Sequence, residues 1–405
     1  MDFDRIIDRN GTFSEKTDGL KKHFGKDGLI PLWVADMDFE SPECVKKALQ
    51  EVVDTSLYGY NTIPEEYFPT IAAWLRREQG WEVELSWLSF IPGVIKGIGY
   101  AISFFTKPGD GIVVMPPVYP PFINLPEKNN RKLLYSPLKE CRCNECGKVI
   151  SYEMDFAGLD RLMESGKPKL LILSNPHNPG GIAWSRESLV QLAEICHKHN
   201  VIVVADEIHA DMPLFGAKHI PFASVSDKAA MASITFGAPS KTFNMAGIVS
   251  SYAVVPNAAL REDFYRWMDA NELNSPTIFA TKSAIAAYTK GGEWRAGMLE
   301  YVEHNVLFVE KRLKEIKVGG VEAISPLRPM FSFLIWLDCR ELCRVLGLDQ
   351  KSLVNLFVED AGLALNDGAT FGPGGEGFMR LNVGTSAKVL EKAIDRLEEA
   401  IKARL

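Results

Sequence analysis

Between Leu88 and Val255 the chain repeats one pattern. A short apolar run meets a glycine or a polar residue, and a stretch with helical spacing follows. Lys169–Ser174 (KLLILS) and Val201–Ala205 (VIVVA) are the plainest runs. A strand that is apolar on both faces must be covered on both faces, which is the condition of a central strand in a parallel sheet. Further runs at Leu88–Ile91, Ile112–Met115, Arg131–Ser136, Met231–Phe236 and Ile248–Val255 extend the series, with helical spacing over Val94–Phe105, Leu159–Met163 and Arg186–His199. The expected class is α/β: a large domain built on a mostly parallel, doubly wound sheet of the seven-stranded type.

The flanks differ. Residues 1–30 are polar and glycine-punctuated, an irregular arm, and Ile30–Met37 (IPLWVADM) reads as an extended segment lining a cleft. Ser41-Pro42-Glu43 marks a helix start with Ser41 as cap, and Pro64–Gly80 predicts a second helix. From Ala258 to Glu315 the spacing is helical, and Met298–Ile316 could bridge two lobes. Strand and helix patterns then alternate at Met330–Leu337, Lys351–Asp360, Phe378–Val383 and Ala387–Leu405, a smaller α+β unit. Residues 137–154 look like an inserted hairpin or loop. The expected division is a large domain over 55–285 and a small one made of 1–54 with 286–405.

Charge and composition exclude several classes. The net charge of −7 is spread over interspersed acids and bases, unlike a nucleic-acid or anionic-membrane surface. The most tempting apolar stretch, Gly93–Phe105, is broken by Lys96 and is too short to span a bilayer. The first residues carry neither a basic start nor an apolar core, so a reduced, cytoplasmic protein is expected.

Chemistry-bearing residues cluster after the ends of successive strands: Gly93, Tyr119, Asn178, Asp206 and Lys241. Ligands of open α/β sheets bind at that edge. Lys241, just past a core strand, is a candidate Schiff-base amine; a lysine that snorkels from a loop is the plainer alternative. Asp206 ends VIVVAD and could keep a pyridinium nitrogen protonated, or cap a helix or bind Mg²⁺. Asn178 could donate to a phenolate oxygen or simply shape a turn, and His209 could reach the same oxygen or be structural. Gly93-Val94-Ile95 opens a helix whose free N–H groups could hold a phosphate. Tyr119, between prolines, could stack on a flat ring. Arg380 stands in an apolar strand and needs an anion, either a substrate carboxylate or an internal salt bridge. Cys141, Cys143 and Cys146 could bind zinc, but no fourth ligand stands beside them, so free thiols on a surface hairpin and no metal site are expected.

The segments PLWVADMDF (31–39), Gly93–Gly99, SNPHNPGG (174–181), ADEIHAD (205–211), APSKTFNMAG (238–247) and Arg380–Asn382 together resemble the fold-type-I pyridoxal-phosphate enzymes. More narrowly they are similar to the class I/II aminotransferase branch that holds bacterial cystathionine β-lyases. The resemblance covers nearly the whole chain and implies an aspartate-aminotransferase-like fold and pyridoxal 5'-phosphate as cofactor. It implies Lys241 as the Schiff-base lysine, Asp206 as pyridinium partner, Tyr119 as stacking ring, and Asn178 and His209 near the ring oxygen. Gly93, Val94, Ile95 and Ser240 would meet the phosphate. Tyr60 would reach the phosphate of a neighbouring subunit in a homodimer. Arg380 would clamp the substrate carboxylate, helped by the backbone at Val34 and Ala35. Ala238 and Val249 stand where the aspartate-aminotransferase pattern has serine and arginine, Thr17-Asp18 where the lyases often have Trp-Asp, and Ala387 near a lyase arginine. The implied activity is α,β-elimination from a sulfur amino acid, with an aminotransferase as alternative. A regulatory binding role is a third reading, although no partner surface is evident.

Overall fold

The apolar runs become strands of one sheet in the computed structural model, which describes residues 1–405. Its seven strands are β1 (Leu88–Ile91), β2 (Gly111–Val114), β3 (Lys132–Tyr135), β4 (Leu170–Ser174), β5 (Ile202–Asp206), β6 (Ser233–Gly237) and β7 (Ser251–Val254). Their spatial order is β1-β7-β6-β5-β4-β2-β3. Only β7 runs antiparallel to its neighbours. Successive side chains leave opposite faces, as pleating requires. Leu171, Leu173, Val203 and Ala205 enter one core, and Leu170, Ile172, Val204 and Ile234 the other. Each face is roofed by helices. Ile98, Ala101 and Ile102 of the helix Val94–Phe105 cover the second core, and Leu189, Leu192 and Cys196 of Arg186–Lys198 cover the first.

The smaller unit holds a four-stranded antiparallel sheet of β8 (Ser325–Leu327), β9 (Leu334–Asp338), β10 (Asn366–Asp367) and β11 (Phe378–Asn382), in the order β8-β9-β11-β10. The helix Ala387–Lys402 packs Leu390, Ile394, Leu397 and Ile401 into its core. The N-terminal segment joins this unit, because Ile30-Pro31 pairs in parallel with Leu363-Ala364. The 24-residue helix Gly292–Glu315 starts earlier than its periodicity suggested. Residues 137–154 do contain a hairpin, Lys139–Arg142 against Val149–Glu153. No helix is long and apolar enough to cross a membrane.

Three strand starts move by more than one residue. Met231 belongs to the helix Asp227–Ala232, whose start is capped by Ser226, and β6 begins only at Ser233. Ala246–Ile248 forms a 3-10 turn ahead of β7. β9 starts at Leu334, after Phe331 has made an isolated bridge to Pro213. Ser41 is not a helix cap: its hydroxyl donates to the Asn244 carbonyl at 2.8 Å, and the helix opens at Glu43.

Candidate active site

The register of the large sheet sets the site. Ser174 and Asp206 are paired neighbours at the ends of β4 and β5, and Asp206 is paired with Phe236 of β6. Three chain segments therefore leave the sheet side by side. The loop after β4 is tied twice: Ser174 Oγ accepts from the Asn178 N–H at 3.1 Å, and the Tyr119 N–H donates to the Asn178 carbonyl at 3.1 Å. After β1, Gly93 has φ 121°, open to glycine and costly to other residues. A Cβ added there would meet nothing within 4 Å, and the first N–H groups of the helix that follows have no intrahelical partner.

These ends enclose a cavity of about 360 Å³, within the range of small-molecule sites. Ala35, Gly93, Val94, Ile95, Tyr119, Asn178, Asp206, His209, Ser240 and Lys241 all line it. Arg380 lies behind Asn178, to whose Oδ1 it donates at 3.1 Å. Val34 acts through its carbonyl, which accepts from Asn382 Nδ2 at 2.6 Å. Tyr60 stands away from the cavity and is fully exposed. Sequence reasoning missed Lys96, Val249 and Ser250, which also line the wall. Val249 carries no charge and sits in the left-handed region at φ 60°; the turn that places it has no local signature.

Burial governs the electrostatics. Lys241 Nζ donates to the Ala35 carbonyl. Desolvation pushes its pKa down to about 8, against the opposing charges of Asp36 and Asp206. The Asp206 carboxyl accepts from the Ile208 N–H at 3.0 Å. Its pKa is pushed up to about 7 by burial, with Lys241 pulling it back. The pair resembles an acid and a base tuned towards each other across neutral pH. Burial takes the His209 pKa down to about 3, aided by the Lys241 and Arg380 charges, so its ring is neutral; its Nδ1 has no partner.

Arg380 has no internal salt bridge. Its Nη2 donates to the Trp33 carbonyl at 3.1 Å and to Asn366 Oδ1 at 2.7 Å, and its Nε has no partner. The guanidinium lies over the Phe371 ring, 5.1 Å from its centroid. A fully buried cation held only by neutral acceptors is missing an anion, and burial lowers its pKa to about 10.

One further cluster was not anticipated. The segment 33–38 hands its carbonyls to the site, through Trp33 to Arg380, Val34 to Asn382 and Ala35 to Lys241. Two aspartates in it are gripped by the N-terminal arm. Arg9 bonds Asp36 at 2.7 Å and Asp38 at 2.8 Å, and Lys16, with a side chain 0% exposed, bonds Asp38 at 2.9 Å. Lys16 also donates to the Asp36 carbonyl at 3.2 Å.

The chemistry suits a flat, phosphorylated aldehyde cofactor: an amine to condense with it, a carboxylate for a ring cation, and a helix N-terminus for an anion. The description "aminotransferase class I and II" matches residues 27–397. The chain belongs to this family. Among family relatives it is 40% identical to the cystathionine β-lyase PatB of Bacillus subtilis, over 99% of this chain and 100% of that one. Cystalysin from Treponema denticola, whose crystal structure contains a pyridoxal 5'-phosphate cofactor, superposes with a TM-score of 0.92 at 30% identity, covering 99% of this chain and 98% of that one. The pyridoxal-phosphate-bound C–S lyase from Staphylococcus hominis gives 0.88 at 30% identity, with 98% and 97% covered.

Proposed function

We propose that this protein is a pyridoxal-phosphate-dependent carbon–sulfur β-lyase. It converts cystathionine or another cysteine S-conjugate, with water, into a thiol, pyruvate and ammonia. The observation that carries the reading is the buried Lys241–Asp206 pair facing one cavity. Full-length similarity to a cystathionine β-lyase supports elimination rather than transamination.

The residues fit the cofactor. Gly93-Val94-Ile95 would receive the phosphate on free N–H groups, with the Ser240 hydroxyl beside them. Lys96, in the same turn and on the cavity wall, adds a cation that Val249 does not supply. Tyr119 would cover one ring face, and Asn178 Nδ2 and neutral His209 would reach the ring oxygen. The unpartnered Nδ1 of His209 is the orphan such a contact would satisfy.

When bound, pyridoxal phosphate supplies an electron sink for the pair left on Cα. Asp206 would hold the proton on the ring nitrogen, its carboxylate staying ionised opposite that charge. Arg380 would clamp the substrate carboxylate with its fork, which fixes the direction of the Cα–H bond. Lys241 Nζ takes the Cα proton, and the Cβ–S bond then breaks with its electron pair on sulfur. Desolvation serves this step, because an amine near pH 8 is unprotonated in useful amounts at neutral pH.

We further assign the active form as a homodimer in which Tyr60 of a second copy reaches the phosphate. Leu57, Tyr58 and Tyr60 are 80%, 64% and 111% exposed in a stretch without helix or strand, which a partner surface would cover. With the division into 55–285 and 1–54 with 286–405, Ala35 would reach the cavity from the small domain and the other lining residues from the large one.

The deciding experiment gives the purified protein pyridoxal phosphate and L-cystathionine without any keto acid. Pyruvate and free thiol are expected in equal amounts, with a visible absorbance band that shifts on substrate addition. Turnover that requires a keto-acid acceptor and releases no thiol would make the protein an aminotransferase instead.

A pH test follows from Lys241. Only its neutral form is nucleophilic, and its pKa of about 8 is raised by the Asp36 charge and lowered by burial. The rate at which apoprotein gains its visible band on adding pyridoxal phosphate should rise through pH 8 and level off above it. Asp36→Asn removes a charge that favours the protonated amine, so its midpoint should fall. A rate flat between about pH 6 and about pH 10 contradicts this.

A further inference from the structure

The seven cysteines are unequal. Burial raises the pKa of Cys44, Cys141, Cys196, Cys339 and Cys343, leaving each a poor nucleophile. Cys143 is held below the ordinary thiol value. The N–H groups of Cys146 and Glu145 and the Cys146 thiol face its sulfur, and the Lys148 charge adds to them.

The backbone explains this arrangement. Cys143-Asn144-Glu145-Cys146-Gly147-Lys148 is the tip of the hairpin Lys139–Glu153. The Cys143 N–H donates to the Lys148 carbonyl at 2.9 Å, and the Gly147 N–H donates to the Cys143 carbonyl at 2.8 Å. Gly147 has φ 69°, and Arg142 Nη1 donates to its carbonyl at 2.8 Å. The loop thus folds Cys146 back onto Cys143. The stem is pinned on the smaller unit by the Lys148–Glu322 pair, by Arg340 to Glu140 at 2.7 Å, and by Trp336 Nε1 to the Tyr152 hydroxyl at 3.1 Å. Cys143 is half-buried and Cys146 exposed. No three metal-type side chains lie together, so the pair is not part of a closed zinc site. A groove beside Cys146 leaves a small disulfide room to approach, and its Arg142, Lys148, Arg340 and Arg344 are each already paired with a carboxylate.

We propose that Cys143 and Cys146 form a thiol–disulfide exchange site for small disulfides, outside the lyase cavity. The Cys143 thiolate attacks one sulfur of RSSR, forming a mixed disulfide and releasing RS⁻. Cys146, losing its proton to solvent, then attacks the Cys143 sulfur and releases the second RS⁻. Two protein thiols are oxidised and one small disulfide is reduced to two thiols.

Holoenzyme incubated with oxidised glutathione, quenched in acid, alkylated with iodoacetamide and digested with trypsin tests this. Cleavage after Arg142 and Lys148 isolates residues 143–148 with both cysteines. That peptide is expected unalkylated and lighter by two hydrogens, and dithiothreitol should reverse the change. Cys146→Ser should trap glutathione on Cys143. Cys143→Ser should react at least ~10-fold more slowly. Both variants should keep the wild-type visible band and lyase rate, which shows that they fold. Glutathione stable on Cys146 in the wild type, a bond to Cys141, or Cys143 reacting no faster than Cys141 overturns the proposal. So does protection from alkylation without loss of two hydrogens, the mark of a bound metal.

Discussion

Lys241→Ala is expected to lose turnover of L-cystathionine by ~10²–10⁴-fold or more, the range for removing a positioned proton-transfer group. It should still bind pyridoxal phosphate. The two effects separate because different parts of the chain carry them. The helix-opening turn after Gly93, the Tyr119 ring and the Asp206 carboxylate are built by β1, β2 and β5, and Lys241 arrives from the loop after β6. Truncation removes the only hydrogen-bonding group on the Ala35 carbonyl seen in the site, and it also withdraws a cation that lowers the Asp206 pKa. The variant's Asp206 should therefore hold its proton to higher pH than in wild type, so cofactor binding weakens as pH falls through that range. Stopped-assay pyruvate release gives the first quantity, and equilibrium dialysis of pyridoxal phosphate the second. Full activity in this variant would remove the assignment.

The part of this site legible in the sequence is the part that strands deliver. β4 and β5 are apolar without interruption, so their ends can be read to the residue, and Asp206 and Asn178 follow directly. The strands that shifted show why other boundaries were hidden. Apolarity runs through Met231, yet Met231 is 53% exposed on a helix capped by Ser226. A cap and an apolar run compete there, and the cap decides. Ser41 fails in the opposite sense: a good local cap is recruited instead by the distant Asn244 carbonyl. Contacts between remote segments leave no periodicity. Arg380 could be read as a cation in want of an anion, but its neutral cage of Asn178, Asn366 and the Trp33 carbonyl comes from three other stretches. The N-terminal arm hid most. Its polar composition suggested an irregular arm, whereas Lys16 is among the most deeply buried side chains in the chain.

That lysine carries the second large effect: Lys16→Met is expected to destabilise the fold by about 3 kcal/mol and to lower lyase activity with it. Removing one partner of a buried ion pair costs about 3–5 kcal/mol in general. The low end applies because Asp36 and Asp38 are 21% and 18% exposed and keep Arg9 at 2.7 and 2.8 Å. Methionine fills much of the same volume, so the loss reports charge and hydrogen bonding more than a cavity. The activity loss has a route through the backbone. Lys16 Nζ and Asn382 Nδ2 both hold the Asp36 carbonyl, at 3.2 and 2.7 Å. The adjacent Ala35 carbonyl receives Lys241, and Asn382 also holds Val34. Loosening Asp36 therefore blurs the position of the amine proposed to take the Cα proton, and small misplacements of reacting groups are expensive. Lys16→Arg retains the charge and should recover part of the activity, although its planar fork cannot reproduce the ammonium's contacts. Thermal loss of the visible band, read beside kcat and KM for L-cystathionine, tests both halves. A variant within about 0.5 kcal/mol of wild type, the range of an inert surface change, with unaltered kcat would show that the arm merely rests on the 33–38 segment.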